Sequence, residues 1–315
     1  RNNNGSLTST AVWSVNGTFI DIAWGDYDND GDLDLACGSG GAENKVYRND
    51  GGLLTTTAVW SSVEVATTKD IAWGDYDGDG DLDLAVGNDG APNRIYQNNS
   101  GALSTSAVWA SSESDKTFSI AWGDCDSDGD LDLLAGDFYG QNKLYRNDGG
   151  ILSTSAVWSS FESDLTSSVA WADYNSDGML DFAVGNGDQP NRVYENRGTA
   201  ISINPIWLSD DLGGSSLAWG DFDGDEDFDL VVSGASNRLY ENQEGWLNPA
   251  PLWLSAGDVT VADVAWGDYD GDGDLDLAVG GEPNRLYVNN DGVIDSNAIW
   301  TSADEGMTGG LAWGD

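Results

Sequence analysis

The sequence predicts an all-β repeat fold on three observations. The tetrapeptide Ala-Trp-Gly-Asp, or a near copy, begins at Ala23, Ala72, Ala121, Ala170, Ala218, Ala265 and Ala312, at spacings of 49, 49, 49, 48, 47 and 47 residues. A second tryptophan recurs at Trp13, Trp60, Trp109, Trp158, Trp207, Trp253 and Trp300. The two series take 14 of the 15 tryptophans and leave only Trp246 outside. No segment carries a helical period over two turns, whereas short alternating stretches recur between Gly, Asn and Asp turns.

Each unit reads the same way. A short alternating stretch opens it (119–122), and an Asp-rich turn follows (75–83 in the second unit). An apolar run ends in Gly (82–87), and a variable turn leads to Asn-Arg/Lys-x-Tyr (93–96). An Asn/Asp/Gly turn then precedes the last stretch (103–109). Four short antiparallel strands per roughly 45-residue unit predict a β-propeller of four-stranded blades. A β-solenoid is the main rival, but its coils are much shorter. The repeats fall at about 1–47, 48–96, 97–145, 146–194, 195–240, 241–287 and 288–315, within a single predicted domain.

The phase of the two ends extends this reading to seven blades. Arg1 matches Arg48 and Val288, so residues 7–13 are expected to supply an outer strand. Asp315 matches Asp268, so residues 310–315 are expected to supply an inner one. Six complete blades and a seventh shared by the two ends are expected, since that pairing protects the sheet edges. The stop inside a turn leads us to expect a window on a longer chain.

The Asp-rich turn carries the chemistry. In the first unit Asp26, Asp28, Asp30, Gly31 and Asp34 form the pattern D-x-D-x-D-G-x-x-D. Carboxylates at positions 1, 3, 5 and 9 converge, position 7 (Asp32) offers its backbone carbonyl, and Gly at position 6 allows the bend. The same positions hold Asp75, Asp77, Asp79, Asp81 and Asp83 in the second loop, and Asp124, Asp126, Asp128, Asp130 and Asp132 in the third. The fourth has Asp173, Asn175, Asp177, Met179 and Asp181. The fifth has Asp221, Asp223, Asp225, Asp227 and Asp229, and the sixth Asp268, Asp270, Asp272, Asp274 and Asp276. Hard oxygen donors in this number suit Ca²⁺, at about six sites. Bare Asp/Gly turns would suffer mutual repulsion of four carboxylates. Asn175 lowers the charge of loop four, and Glu226 replaces the Gly of loop five. Loop five, and then loop four, are expected to bind most weakly.

Asp75 to Gly87, followed by Pro92-Asn93-Arg94-Ile95-Tyr96, resembles an FG-GAP or VCBS repeat, as found in integrin α-subunits and cartilage acidic protein-like secreted proteins. The resemblance covers essentially the whole chain. It implies structural Ca²⁺ on one face of an extracellular propeller, and it names no ligand. The family's Phe-Gly is replaced here by Trp-Gly or Trp-Ala.

Composition excludes other classes. The chain has 55 Asp plus Glu, 12 Lys plus Arg and no His, for a net charge of −43. Such a surface repels nucleic acid and anionic membranes. Catalysis through His and His-ligated zinc are impossible. No apolar run of about 18 residues is present, so no direct membrane insertion is expected. Of the 55 acids, 23 are assigned as side-chain ligands, and six Ca²⁺ would take −43 to −31.

Both Trp series are expected in the core, and the Asn-Arg/Lys pairs in structural hydrogen bonds. Cys37 and Cys125 lie in different phases and are not expected to pair. Asn4, Asn16 and Asn98 begin N-glycosylation sequons. Function should lie in what varies. Connections 61–69, 110–116, 159–165, 209–214 and 255–261 share one face with the turn holding Phe138 and Tyr139. Those two aromatics, and Trp246 on the opposite face, are candidate contacts for a protein or glycan ligand. The expected function is a non-enzymatic extracellular adhesion or recognition module. The alternatives are a self-assembling subunit of a surface filament or sheath, and a polysaccharide-active enzyme, which lacks a unique constellation.

Overall fold

The computed structural model describes residues 12–198, 200–256, 261–303, 308, 310, 311 and 313, and none of these is helical. The first sheet contains β1 (Phe19–Gly25), β2 (Asp34–Tyr47), β3 (Trp60–Gly74), β4 (Asp83–Asn88), β5 (Arg94–Tyr96) and β6 (Trp109–Ala110), in that order. Next come β7 (Thr117–Gly123), β8 (Asp132–Asp137), β9 (Lys143–Tyr145) and β10 (Trp158–Ser159). A third sheet holds β11 (Thr166–Ala172), β12 (Asp181–Asn186), β13 (Pro190–Tyr194) and β14 (Trp207–Leu212). In the fourth, β15 (Leu217–Gly220), β16 (Asp229–Val232) and β17 (Arg238–Tyr240) pair in order. A ribbon of β18 (Asn242–Gln243) and β19 (Trp246–Leu247) precedes that sheet's last strand, β20 (Trp253–Leu254). The fifth sheet is β21 (Val261–Gly267), β22 (Asp276–Gly281), β23 (Arg285–Tyr287) and β24 (Trp300–Thr301).

The fold is thus an all-β β-propeller with antiparallel four-stranded blades, but the described residues form five large sheets and not the seven blades predicted. One reason is local. β2 and β3 run through segments that the sequence divides into separate strands and a connection, so two repeats share the six-stranded sheet. Residues 61–69 carry Val63, Val65, Thr67 and Thr68, whose β-branched side chains favour extension. They pair across a bulge at Gly41, where φ is +99°. The second reason is that most of residues 7–13 and part of 310–315 lie outside the described residues.

The chain divides into two compact units, Val15–Val169 and Ala170–Trp313. Within each, the core lies between successive repeats. Tyr27, Ala36 and Val46 of one repeat pack with Trp60, Ile71, Leu84, Val86 and Tyr96 of the next. Tyr174, Ala183 and Val193 do the same with Trp207, Leu217, Leu230, Val232 and Tyr240. Both Trp series serve this packing. Trp60 meets Tyr96 edge-on at 5.1 Å, and Trp207 meets Tyr240 at 5.3 Å. Trp73 lies so close over Gly25 that a Cβ there would sit 2.6 Å from the indole. A Trp-Gly dipeptide is therefore a repeat-to-repeat contact, with the glycine admitting the next repeat's ring.

The first strands are also tied to one another. The Ile71 amide donates to Asp21 at 3.1 Å, and the Ile120 amide to Asp70 at 2.7 Å. In the other unit Leu311 donates to Asp263 at 2.7 Å, and the Ser216 hydroxyl donates to the same carboxylate at 2.6 Å. Asp70 also hydrogen-bonds Asp21, and desolvation raises its pKa.

Candidate metal centres

Each Asp-rich loop closes the hairpin between the first two strands of a repeat. Gly25 pairs with Asp34, Gly74 with Asp83, Gly123 with Asp132, Gly220 with Asp229 and Gly267 with Asp276. The position-1 carboxylate nucleates the wrap. Asp26 accepts the Asp30 and Gly31 amides, both at 3.0 Å, and Asp75, Asp124 and Asp173 do the same in their loops. Position 6 has positive φ throughout: Gly31, Gly80, Gly129, Gly178, Glu226 and Gly273 lie between +74° and +101°. Glu226 thus adopts, at +74°, a backbone that an L side chain disfavours.

The loops bring carboxylates together. Asp26, Asp28 and Asp34 each place an oxygen within 4.8 Å of the others, as do Asp75, Asp77 and Asp83; Asp124, Asp126 and Asp132; and Asp268, Asp270 and Asp276. In loop five the convergent set is Asp221, Asp223 and Asp225. In loop four Asn175 stands at position 3. Position 5 also braces the turn: Asp30, Asp79, Asp128, Asp225 and Asp272 accept the position-7 amide at 3.0 Å. Position-7 side chains hold the neighbouring turn. Asp32 accepts the Gly51 amide, Asp81 that of Ser100, Asp130 that of Gly149, Asp227 that of Glu244 and Asp274 that of Asp291, at 2.5–2.7 Å. Met179 has no carboxylate to do this; its side chain lies where a Cβ at Gly198 would meet it at 3.4 Å.

Position 9 is the buried anchor. Asp34, Asp83, Asp132, Asp181, Asp229 and Asp276 are fully buried. The amides of Asn49, Asn98, Asn147, Asn196, Asn242 and Asn289 donate to them at 2.6–2.9 Å. Burial pushes Asp34 up to about 6, and Asp83, Asp181 and Asp229 up to about 7, with neighbouring loop carboxylates adding to the rise and the amides opposing it. Desolvated carboxylates of one sign call for a cation. At position 3, Asp28 Oδ1, Asp77 Oδ1 and Asp126 Oδ1 are buried without a hydrogen-bond partner, as is Asp181 Oδ2 at position 9 of loop four. Unsatisfied hard acceptors beside converging carboxylates fit a Ca²⁺ ion.

Three contributions escaped the sequence reading. Asn98 Nδ2 donates to the Tyr27 carbonyl of the preceding repeat at 2.6 Å, and Asn147, Asn242 and Asn289 repeat the bond to Tyr76, Tyr174 and Phe222. The signal was available, because an Asn stands at this phase in all six repeats. It also leaves the Asn98 sequon buried, whereas Asn16 is exposed and Asn4 lies outside the described residues. Position 4 forms a second positive-φ site at Asn29, Gly78, Ser127, Ser176, Gly224 and Gly271. The third is the residue after the strand-three tyrosine, described below.

The expected Asn-Arg/Lys bonds are formed: Asn93 accepts the Asn88 amide at 3.0 Å, and Lys143 bridges Asp115 and Asp137 at 2.8 and 2.9 Å. Cys37 and Cys125 are buried and form no disulfide with each other. Away from the loops, the turn after β8 carries an aromatic stack. The Lys69 ammonium lies 4.6 Å from the Phe118 ring centroid, and Phe118 stacks on Phe138 at 4.3 Å. Phe138 meets Tyr139 edge-on at 4.9 Å. Tyr139 is 65% exposed with φ +60°. The turn also meets the next connection, since the Tyr139 amide donates to the Asp164 carbonyl at 2.8 Å. Trp246, 71% exposed, follows the turn that Asp227 holds.

A family model described as FG-GAP-like repeat matches five times, at residues 26–86, 75–135, 124–184, 173–232 and 230–279. The first four matches begin on the first carboxylate of a loop and run through the second strand of the next repeat. No curated protein matches the chain. Among solved structures, the chain is similar to a crystal structure of BBS1N in complex with ARL6DN soaked with mercury. The identity is 17% over 89% of this chain and 78% of that one, with a TM-score of 0.56. That likeness concerns the fold alone.

Proposed function

Because the chain belongs to the FG-GAP-like repeat family, we propose that it is a calcium-stabilised propeller of the extracellular space that recognises a partner and transforms no substrate. The observation that carries this reading is the convergence of loop carboxylates around buried oxygens that lack a donor. Carboxylates at positions 1, 3, 5 and 9 and the carbonyl of position 7 would hold the ion. It would supply positive charge that offsets their desolvation and mutual repulsion. Partly exposed loops of this kind suit dissociation constants of about 10⁻⁴–10⁻³ M, the range of extracellular calcium modules. Calorimetric titration of chelator-treated protein should find about six sites. Absence of uptake at millimolar calcium would sink the reading.

Recognition is assigned to the end of the repeats away from the loops, where connections and second turns meet. Tyr139 is the main anchor: an exposed aromatic ring presents an apolar face and a polar tip to a sugar or a protein. A glycan array and a panel of extracellular proteins, each read with native protein and Tyr139→Ala, test this. Binding that survives the substitution unchanged would move the site elsewhere.

Self-assembly is the second reading, and one observation favours it. The edge strand β14 and the residue before it expose Ile206, Leu208 and Leu212, and the edge strand β20 with its preceding residue exposes Leu252 and Leu254. Apolar edges are templates for strand pairing. Sedimentation that shows a monomer at all concentrations would remove this reading.

A further inference from the structure

We propose that the residue after the buried tyrosine of each third strand sets how strongly that repeat's loop holds its cation. The inference rests on the calcium reading above. The residues are Arg48, Gln97, Arg146, Glu195, Glu241 and Val288. Sheet register explains their reach. Tyr96 pairs with Leu84, Tyr145 with Leu133 and Tyr194 with Phe182, each directly after a position-9 aspartate. One step further, the next side chain is level with that aspartate, at the mouth of the loop.

The first three loops carry a donor there. Arg146 forms an ion pair with Asp126, and its guanidinium lies 3.8 Å from Asp128. Gln97 Nε2 donates to Asp77 Oδ2 at 2.5 Å. Arg48 holds the same place in the first repeat, directly after Tyr47. In the second and third loops position 3 is the residue addressed. The donor takes or faces one part of that carboxylate, while Asp77 Oδ1 and Asp126 Oδ1 stay without a partner. A tethered guanidinium therefore stands where it repels an incoming dication.

Loops four and five carry the opposite sign. Glu195 stands level with Asp181, because Tyr194 pairs with Phe182, and Glu241 stands level with Asp229, because Tyr240 pairs with Leu230. Beside loop four a whole ion pair is inverted. Arg48 pairs with Asp50 at 3.1 Å and Arg146 approaches Asp148 at 3.6 Å, two residues on. After the third strand beside loop four, Glu195 takes the arginine's place and pairs with Arg197 at 2.6 Å. Glu195 Oε2 accepts both Arg197 bonds. A carboxylate at this register position would offset the one that Asn175 lacks. Loop three, with Arg146, becomes the weakest site, and loop four is restored. This order differs from the ranking that the loop sequences alone predict.

The test uses the full chain and terbium as the probe, with occupancy read loop by loop from anomalous scattering at limiting ion. Arg146→Glu should raise apparent affinity at loop three about tenfold, and Arg146→Gln by less. Glu195→Gln should lower loop four by a similar factor, and the other loops should not change. Both arginine variants change a half-exposed side chain, and melting in chelator checks that the fold is intact. Unchanged occupancy of loop three in both variants, with loop four unchanged in Glu195→Gln, overturns the proposal while leaving the calcium reading standing. Terbium at no loop in the native protein overturns both.

Discussion

The units Val15–Val169 and Ala170–Trp313 depart from the common repeat at different places. In the first, the three loops are regular, and the departure is the Phe118–Phe138–Tyr139 stack at the other end of the third repeat. In the second, the loops themselves depart, through Asn175, Met179 and Glu226, and through Glu195 and Glu241 beside them. Yet the scaffold around the loops is the same in both. Position-9 aspartates are buried in each, and the same asparagine ties loops of both units to the preceding repeat. The hydrogen-bonded frame is the fixed part of the unit, and the charge presented to the ion is the adjustable part.

Calcium removal should have the largest effect, and it should act on both units. Each ion held at a hundredfold excess over its dissociation constant adds about 2.7 kcal/mol. Calorimetry with and without a chelator should therefore show the melting temperature falling by more than about 10 °C. A single undivided transition in calcium that splits in chelator would mean that the two units lose their ions unequally.

The packing contact should be less sensitive to calcium and equal in the two units. A Cβ at Gly74 would lie 2.6 Å from the Trp122 indole, and one at Gly220 would lie 2.7 Å from that of Trp266. Gly74→Ala and Gly220→Ala should each cost about 2–3 kcal/mol, because the added methyl meets the indole near its root, at Cδ1 and Cγ. Urea unfolding in saturating calcium measures this. A large difference between the two variants would break the claim of one shared frame.

Much of this frame was legible because it repeats. Six in-phase copies turn the Asp pattern, the Trp-Gly dipeptide and the Asn-Arg pair into constants of the unit; the Asp loops bring carboxylates together, and the Trp-Gly dipeptides pack repeat on repeat. Position 7 read as a backbone donor, and its side chain's grip on the next turn was hidden, since Asp32 and Gly51 are brought together only by the sheet. The residues after the tyrosines were hidden for the same reason: their partners are set by register across the hairpin. Phe118 lies twenty residues before Phe138, so the sequence showed only the adjacent Phe138–Tyr139 pair. The continuity of β2 and β3 was missed because residues 61–69 vary from repeat to repeat, and variation looks like a loop.

The first strands give a pH-dependent contrast. Asp70 hydrogen-bonds Asp21 and accepts the Ile71 and Ile120 amides, and desolvation raises its pKa. Ser119 hydrogen-bonds the same carboxyl. The folded state therefore keeps a proton that the unfolded chain, with an aspartate near 3.9, has lost. Between those two values, folding stability from this group falls as pH rises, at no more than about 1.4 kcal/mol per pH unit. Asp70→Asn cannot titrate, and at every pH alike it gives up one of the two oxygens that accept the Ile71 and Ile120 amides. Relative to native protein, it should gain stability as pH rises and lose that advantage toward pH 4. A difference that does not vary with pH would show that Asp70 is charged in the fold throughout.

Glu226 isolates the backbone contribution in the second unit. At φ +74°, its replacement by Gly should stabilise the protein by about 1 kcal/mol, in calcium and in chelator alike. Gly129→Ala, at φ +98° in the first unit, is the reverse experiment and should cost a similar amount. Thermal melts of the two variants should shift in opposite directions. Equal shifts of the same sign would mean that charge, and not backbone conformation, controls this position.

Tyr139 poses the same strain with another purpose. The equivalent turns of the first two repeats place Gly41 and Gly90 at φ +99° and +75°, where Tyr139 stands at +60°. A bulky residue in that region costs about 1–2 kcal/mol relative to glycine. Its ring recovers part of this against Phe138, while most of it stays in water. Tyr139→Gly should therefore leave stability unchanged or raise it by up to about 1 kcal/mol, the smallest effect of this set. The same substitution should abolish capture of the partner by the recognition face, measured on the glycan array or protein panel. Gain or retention of stability together with loss of binding is the signature of strain kept for function. A clear loss of stability would instead make Tyr139 a part of the packing, and the stack from Lys69 to Tyr139 a structural brace.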